Sequence, residues 1–200
     1  MTHSGNLRRN GYSEGPGKIR WRRFAVLFVP AAAATAIMVT LTAQGVLAAS
    51  ISVSGTAFEV TASQLHAAGF EQFGGFVTEG NQSHPVAITA LRSATLNNLC
   101  QSVSMGSVTL RITAGGGTPV QASNMIIDAD QQTGNVTFHN IAIGQDAGTV
   151  TEDPGVSGRG GGFAEQASSA TITNLRQHTW LTTAGTFTLP GLSLSFGRPC

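Results

Sequence analysis

The 200 residues are 41% hydrophobic but only 10% charged, with a formal net charge of +1. That near-neutral total is unevenly divided: six of the 11 Lys and Arg precede residue 24, whereas residues after 48 carry five bases against nine acids, a net charge of −4. No basic patch is left for nucleic acid, whose binding rests on many Lys and Arg contacts to phosphate.

Residues 1–23 form a basic leader in which Arg20, Arg22 and Arg23 run directly into an apolar segment, 24–49. This segment holds 26 uncharged residues. At 1.5 Å per residue, a helix of that length spans a bilayer core of about 30 Å. A cationic flank, an apolar run and small residues at its close make an export signal. Val46 and Ala48 stand at −3 and −1 relative to a cut between Ala48 and Ala49. Two readings fit, a cleaved signal peptide and a retained transmembrane anchor. Length favours the anchor; Pro30, the Ala and Thr content and polar Gln44-Gly45 favour cleavage. Either places residues 50–200 outside the cytoplasmic membrane, because the basic flank stays inside. The expected localisation is secreted or held on the outer face of that membrane.

The exported part, 50–200, is long enough for one domain with a buried core. It is rich in Thr, Ser, Gly and Asn, and Lys is absent after Lys18. In chain order, Ala62–Phe73 reads as a helical turn or two, and Thr78–Ser83 as a turn with His84-Pro85 beside it. Residues 107–112 alternate with period two, as do much of 134–143 and 185–196. Between them stand turn clusters at 114–119, 131–135 and 152–162. The predicted class is all-β, as a sandwich or sheet-roll with a β-solenoid as the alternative. The solenoid is suggested by an internal echo: 94–99 (ATLNNL), 136–141 (VTFHNI) and 170–175 (ATITNL) share a pattern of large apolar residue, any residue, Asn, aliphatic. Asn98, Asn140 and Asn174 are therefore expected to be structural, bonding backbone where a strand bends or ends.

Cys100 and Cys200 are an even pair in an exported chain and are expected to form a disulfide. Neither Cys-x-x-Cys nor His-x-x-x-His spacing is present, so no metal and no cofactor is expected. Asp128-Ala129-Asp130 lacks the further oxygen ligands and closing Glu of a calcium loop and reads as a pair of turn acids. No Gly-x-Ser-x-Gly elbow exists: 155–159 ends in Arg159 and 191–195 in Ser195. His84, His139 and His178 read as surface histidines. The loop with Gly160-Gly161-Gly162 reads as a solvated connection.

Several segments together resemble a known family. They are Trp21–Phe24, His84–Ala87, Asn98–Val103, Thr109–Gly117 (TLRITAGGG), Asn140–Ala147 (NIAIGQDA) and Asn174–Gln177. In order and spacing they resemble small exported actinobacterial proteins catalogued as domain of unknown function 6230, over nearly all of residues 20–200. The resemblance implies an exported or membrane-associated protein without a settled activity. Some members carry the label cholesterol esterase, yet no catalytic residue transfers from it. The expectation is thus a non-enzymatic envelope or secreted module that binds lipid, an envelope polymer or a membrane-protein partner. The alternative is a secreted lipid esterase.

Overall fold

Nine strands and no helix organise residues 55–153 and 155–200, the part that the computed structural model describes. The leader, the apolar run and the expected cut before Ala49 lie outside the described residues. The strands are β1 (Phe58–Glu79), β2 (Gln82–Asn97), β3 (Leu99–Met105), β4 (Val108–Ala114), β5 (Val120–His139), β6 (Ala142–Asp146), β7 (Phe163–Thr183), β8 (Thr186–Thr188) and β9 (Ser193–Phe196). Every pairing is antiparallel. Two connections are two-residue hairpins whose first central residue is a glycine at positive φ, Gly80 at 54° and Gly106 at 65°. A left-handed residue there matches the twist of the flanking strands.

Four long strands close on one another. β1 pairs with β2, β2 with β5, β5 with β7, and β7 with β1 again, so the sheet rolls into a ring. Closure removes the open edges that strands of about 20 residues would otherwise expose. The principal core cluster fills this ring, and eight of its nineteen buried residues are alanines. Small residues let the walls approach around Phe70, Leu91, Leu96 and Leu175.

The strands do not keep one alternation along their length. Successive core positions jump by three at Ala62–Leu65, Ala67–Phe70, Leu91–Ala94, Leu96–Leu99, Ala122–Met125, Ala167–Ala170 and Ile172–Leu175. Each jump turns the other face of the strand inward. The jumps fall in two belts across the ring. In one, Asn98 and Asn174 flank Ser63; in the other, the register runs Asn124, Arg92, Gly69, Ser168, Asn140. Among the described residues, the four positive-φ residues other than glycine are these asparagines, at 51°, 47°, 53° and 54° for Asn98, Asn124, Asn140 and Asn174, and Gly69 has φ 70°. A left-handed residue inside a strand acts as a bulge does, re-aiming the side chains that follow it. Asn and Gly tolerate that conformation where other residues pay a steric penalty.

Serine completes the device in both belts. Asn98 Nδ2 donates to Ser63 Oγ at 2.9 Å, and Ser63 Oγ donates to the Asn97 carbonyl at 3.2 Å. The second copy has the same wiring: Asn140 Nδ2 donates to Ser168 Oγ, which donates to the His139 carbonyl, both at 3.0 Å. Ser168 sits opposite Gly69, where an added Cβ would lie 2.6 Å from the Glu152 carbonyl oxygen.

Cys100 and Cys200 are joined by a disulfide with Cα atoms 5.9 Å apart. It ties the segment after β9 to β3, and the Cys200 N–H also donates to Ser102 Oγ at 3.1 Å.

Several expectations are corrected. Ala62–Phe73 is strand, not helix, because its apolar residues follow one β pattern that changes face twice, at Ser63 and at Gly69. The 131–135 cluster lies inside β5, where register shifts absorb its irregularity. His84-Pro85 and Asp128–Asp130 belong to strands rather than turns. Parallel solenoid stacking does not occur, and the echoed segments do not repeat a coil. The strands roll into one closing sheet rather than two stacked ones. Asn174 lies within β7, so the strand changes face there without ending.

Two outcomes follow for stability. Asn174 is exposed and its backbone is left-handed, so Asn174→Ala should lose about 1–2 kcal/mol in urea unfolding while Asn174→Gly stays near wild type. Equal losses for both would refute a backbone role. Reduction of the disulfide, which spans a sequence separation of 100, should lower stability by about 4–5 kcal/mol on chain-entropy grounds. Intact mass before and after reduction monitors the bond.

Candidate functional site

β3, β4 and β9 form an arm that continues the sheet from the start of β1. Their register sorts the side chains by face. Val103 pairs with Leu110 and Leu110 with Phe196; Ile112 pairs with Leu194; Met105 pairs with Val108. These apolar residues therefore share one side. The other side carries Cys100, Ser102 and Ser104 on β3, Thr109, Arg111 and Thr113 on β4, and Ser193 and Ser195 on β9. Ser104 and Thr109 hydroxyls bond at 3.0 Å, and Arg111 Nε donates to Cys100 Sγ at 3.3 Å. The polar side is thus internally bonded and stapled. The apolar side is open: Met105, Val108, Leu194 and Phe196 are 54%, 44%, 60% and 68% exposed. Against it lies a groove of about 290 Å³ lined by Thr56, Phe58, Gln101, Val103, Leu110 and Ile112, among others.

A second cluster joins β2, β5 and β7. Asp130 binds His178 Nδ1 through Oδ1 at 2.6 Å and accepts from Trp180 Nε1 through Oδ2 at 3.0 Å. Trp180 stacks on His84 with ring centroids 4.2 Å apart, and His84 Nε2 lies 3.3 Å from Glu79 Oε2. Burial works against ionising Asp130, but the hydrogen bonds from His178 and Trp180 outweigh it and hold its carboxyl below the usual range. An imidazole oriented by a carboxylate is two-thirds of a nucleophile-activating set. Among the described residues no hydroxyl hydrogen-bonds to His178. The His66 ring does meet the Thr171 hydroxyl at 2.9 Å, beside a shallow groove of about 160 Å³, but no carboxylate bonds to His66. Among the described residues no three His, Cys, Asp or Glu side chains converge in metal-binding geometry.

A third polar group underlies the loop from Ala147 to Gly162. Asp146 Oδ1 accepts from Gly148 N–H at 2.8 Å and Oδ2 from Gly161 N–H at 2.9 Å, which lowers its carboxyl. Glu71 Oε1 accepts from Asp153 N–H at 2.7 Å, and Arg92 reaches the Glu152 carbonyl. The glycine-rich segment is therefore a bonded cover whose apolar residues Ala147 and Val150 pack with Phe73 and Ala164 in a second core cluster. Beneath it Glu71 and Asp153 are buried, each with an oxygen lacking a partner, and burial raises both carboxyls. Burial likewise raises Asp128 to about 6, and its Oδ1 has no partner.

The positions singled out from sequence are not gathered into one site. Asn98, Asn140 and Asn174 are distributed over the two belts; Cys100 and Cys200 lie on the polar side of the arm; Ala48 and Ala49 lie outside the described residues. His139 is exposed at the end of β5. The sequence reading missed Asn124, whose echo of the repeat is masked because Ala122 stands where the others have a large apolar residue. It also missed the buried Glu71. The arm was legible only as alternation in 107–112 and 185–196, with nothing to say that the two segments pair.

For Asp128 the folded carboxyl is raised, so its contribution to stability is present below the unfolded value of 3.8 and lost as pH rises through about 6. Asp128→Asn should therefore stabilise the protein at pH 8, by up to about 3 kcal/mol at 1.36 kcal/mol per pH unit. The advantage should vanish near pH 4. Thermal unfolding of both proteins across that range checks this; a pH-independent difference would refute the assignment.

No curated protein and no solved structure matches the chain. The described family of unknown function, DUF6230, matches residues 54–200, which takes in every strand of the ring and the arm. The chain belongs to this family of unknown function.

Proposed function

We propose that this is an exported, non-enzymatic module of the cell envelope that acts by presenting a surface to lipid, an envelope polymer or another protein. The observation that carries the reading is the arm, whose apolar side stays open while a disulfide secures its polar side. Apolar side chains clustered in the open at this density mark interaction surfaces. A disulfide persists in the oxidising exterior and is rare in a reducing cytoplasm, which fits the export signal read in residues 1–49. The ring itself is filled by side chains; the groove of about 290 Å³ lies against the apolar side of the arm and that of about 160 Å³ beside His66. A secreted lipid esterase finds support only in the Asp130–His178 pair, which lacks a bonded nucleophile.

Two measurements on the full-length chain test the reading. A reporter active only outside the cytoplasm, fused after Cys200, should be active, and the fusion's Cys100–Cys200 bond should resist alkylation until reduced. The protein should also remain unlabelled by a serine-reactive phosphonate and turn over no cholesteryl or acyl ester. A silent reporter would refute export, and stoichiometric labelling with turnover would establish the esterase.

A further inference from the structure

Resting on the reading of an exported surface module, we infer that the apolar side of the β3–β4–β9 arm docks on an anionic lipid bilayer at the level of the headgroups. Three observations select this occupant. The first is shape: Val103, Leu110 and Ile112 are half-buried, while Met105, Val108, Leu194 and Phe196 project from one side of a single sheet layer. An element with one apolar and one polar side lies in the plane of a membrane interface rather than across it. The polar side, with its serines, threonines and disulfide, then faces water.

The second is charge. No acidic residue occurs in 80–127 or 166–200, and these segments supply the whole arm. Its side-chain charges are Arg111, which belongs to the polar side with Ser102 and Ser195, and Arg198, which follows β9 and is the cation offered to the bilayer. The nearest carboxylate in register, Glu59, pairs with Ser102 and so belongs to the polar side. The remaining acids stand on β1 beyond Phe70, on β5, at the end of β6, on β7 and in the loop. An arm that is cationic on an acidic protein is suited to an anionic lipid surface.

The third is connectivity. Thr56 and Phe58 line the groove of the apolar side, and Thr56 follows the end of the apolar run at Ala49 by seven residues. Seven residues span at most about 25 Å when fully extended. A run held in the membrane would keep Thr56, which lines this groove, within that reach of the bilayer. Even with the run removed, the arm keeps its apolar side and its charge. A second copy of the chain pairing along the β9 edge is the competing occupant.

The test uses the full-length chain in vesicles containing phosphatidylglycerol, with bromine placed at shallow acyl positions, and reads tryptophan quenching above the background of Trp21 and Trp180. Phe196→Trp should be quenched and blue-shifted; Ile143→Trp, on the edge strand β6 and 67% exposed, should be neither. Both sites are open, and Leu194→Trp replaces Phe196→Trp if that variant fails to form its disulfide. Exchange of phosphatidylglycerol for phosphatidylcholine should shift the inserted fraction toward the free arm. Arg198→Gln should do so about fivefold, the value of roughly one basic residue at an anionic surface. Absence of quenching at position 196, or equal quenching at position 143, overturns the proposal. Protection of the arm that grows with protein concentration without lipid also overturns it, in favour of a second copy. Because export is read by the reporter, a protein that is exported but unquenched would sink lipid docking alone.

Discussion

The hydrogen bond between a left-handed asparagine and a serine on the neighbouring strand is the constraint on which this fold depends. In a closed barrel inward- and outward-facing residues ordinarily alternate along every strand, but these strands of about 20 residues interrupt that alternation. The belts built on Asn98 and Ser63, and on Asn140 and Ser168, change the face of each strand at matched heights. β1 and β7 cross both belts and change face twice, β5 changes once at Asn124, and paired neighbours change together. If β7 kept its phase past Ala167 while its neighbours changed, polar residues such as Ser169 and Thr173 would be driven inward and buried without partners, which costs more than a net hydrogen bond returns.

The same belts position the outer features. Gly69, in the second belt, leaves room for the Glu152 carbonyl, and Arg92 beside it binds that carbonyl, so the loop over Phe73 is docked on a phase change of the sheet. Asn98 marks the point where β2 gives way to β3, and the arm departs from there. Its backbone N–H donates to the Gly115 carbonyl at 2.9 Å, joining the two ends of the β3–β4 hairpin. The arm is thus anchored at its base by the belt and at its far strand by the disulfide, which fixes an apolar side that no core contact covers.

Buried carboxyls run against stability. Glu71, Asp128 and Asp153 keep unpartnered oxygens away from water, and burial raises all three. Asp146 and Asp130 behave oppositely because each is well supplied with N–H donors. The division follows donor supply rather than depth alone: the raised carboxyls oppose folding as pH climbs, and the lowered ones withdraw their support as it falls.

Local chemistry in the sequence was sufficient for the all-β class, the cysteine pair and three of the four left-handed asparagines. Thr-rich alternation, an isolated even pair of thiols and a repeated apolar-x-Asn-aliphatic pattern each act over a few residues or by elimination. The role of those asparagines was not legible, because a face change has meaning only relative to the strand alongside. Period-two analysis likewise broke at Ala62–Phe73, where face changes at Ser63 and Gly69 give spacings of three, two and three that imitate a helix. Closure of β1 on β7, the covering of Glu71 by the loop, and the shared apolar side of Leu110, Ile112, Leu194 and Phe196 depend on partners about 80 to 120 residues apart. Such pairings are selected by the packing of the whole ring, and only the tertiary structure decided them.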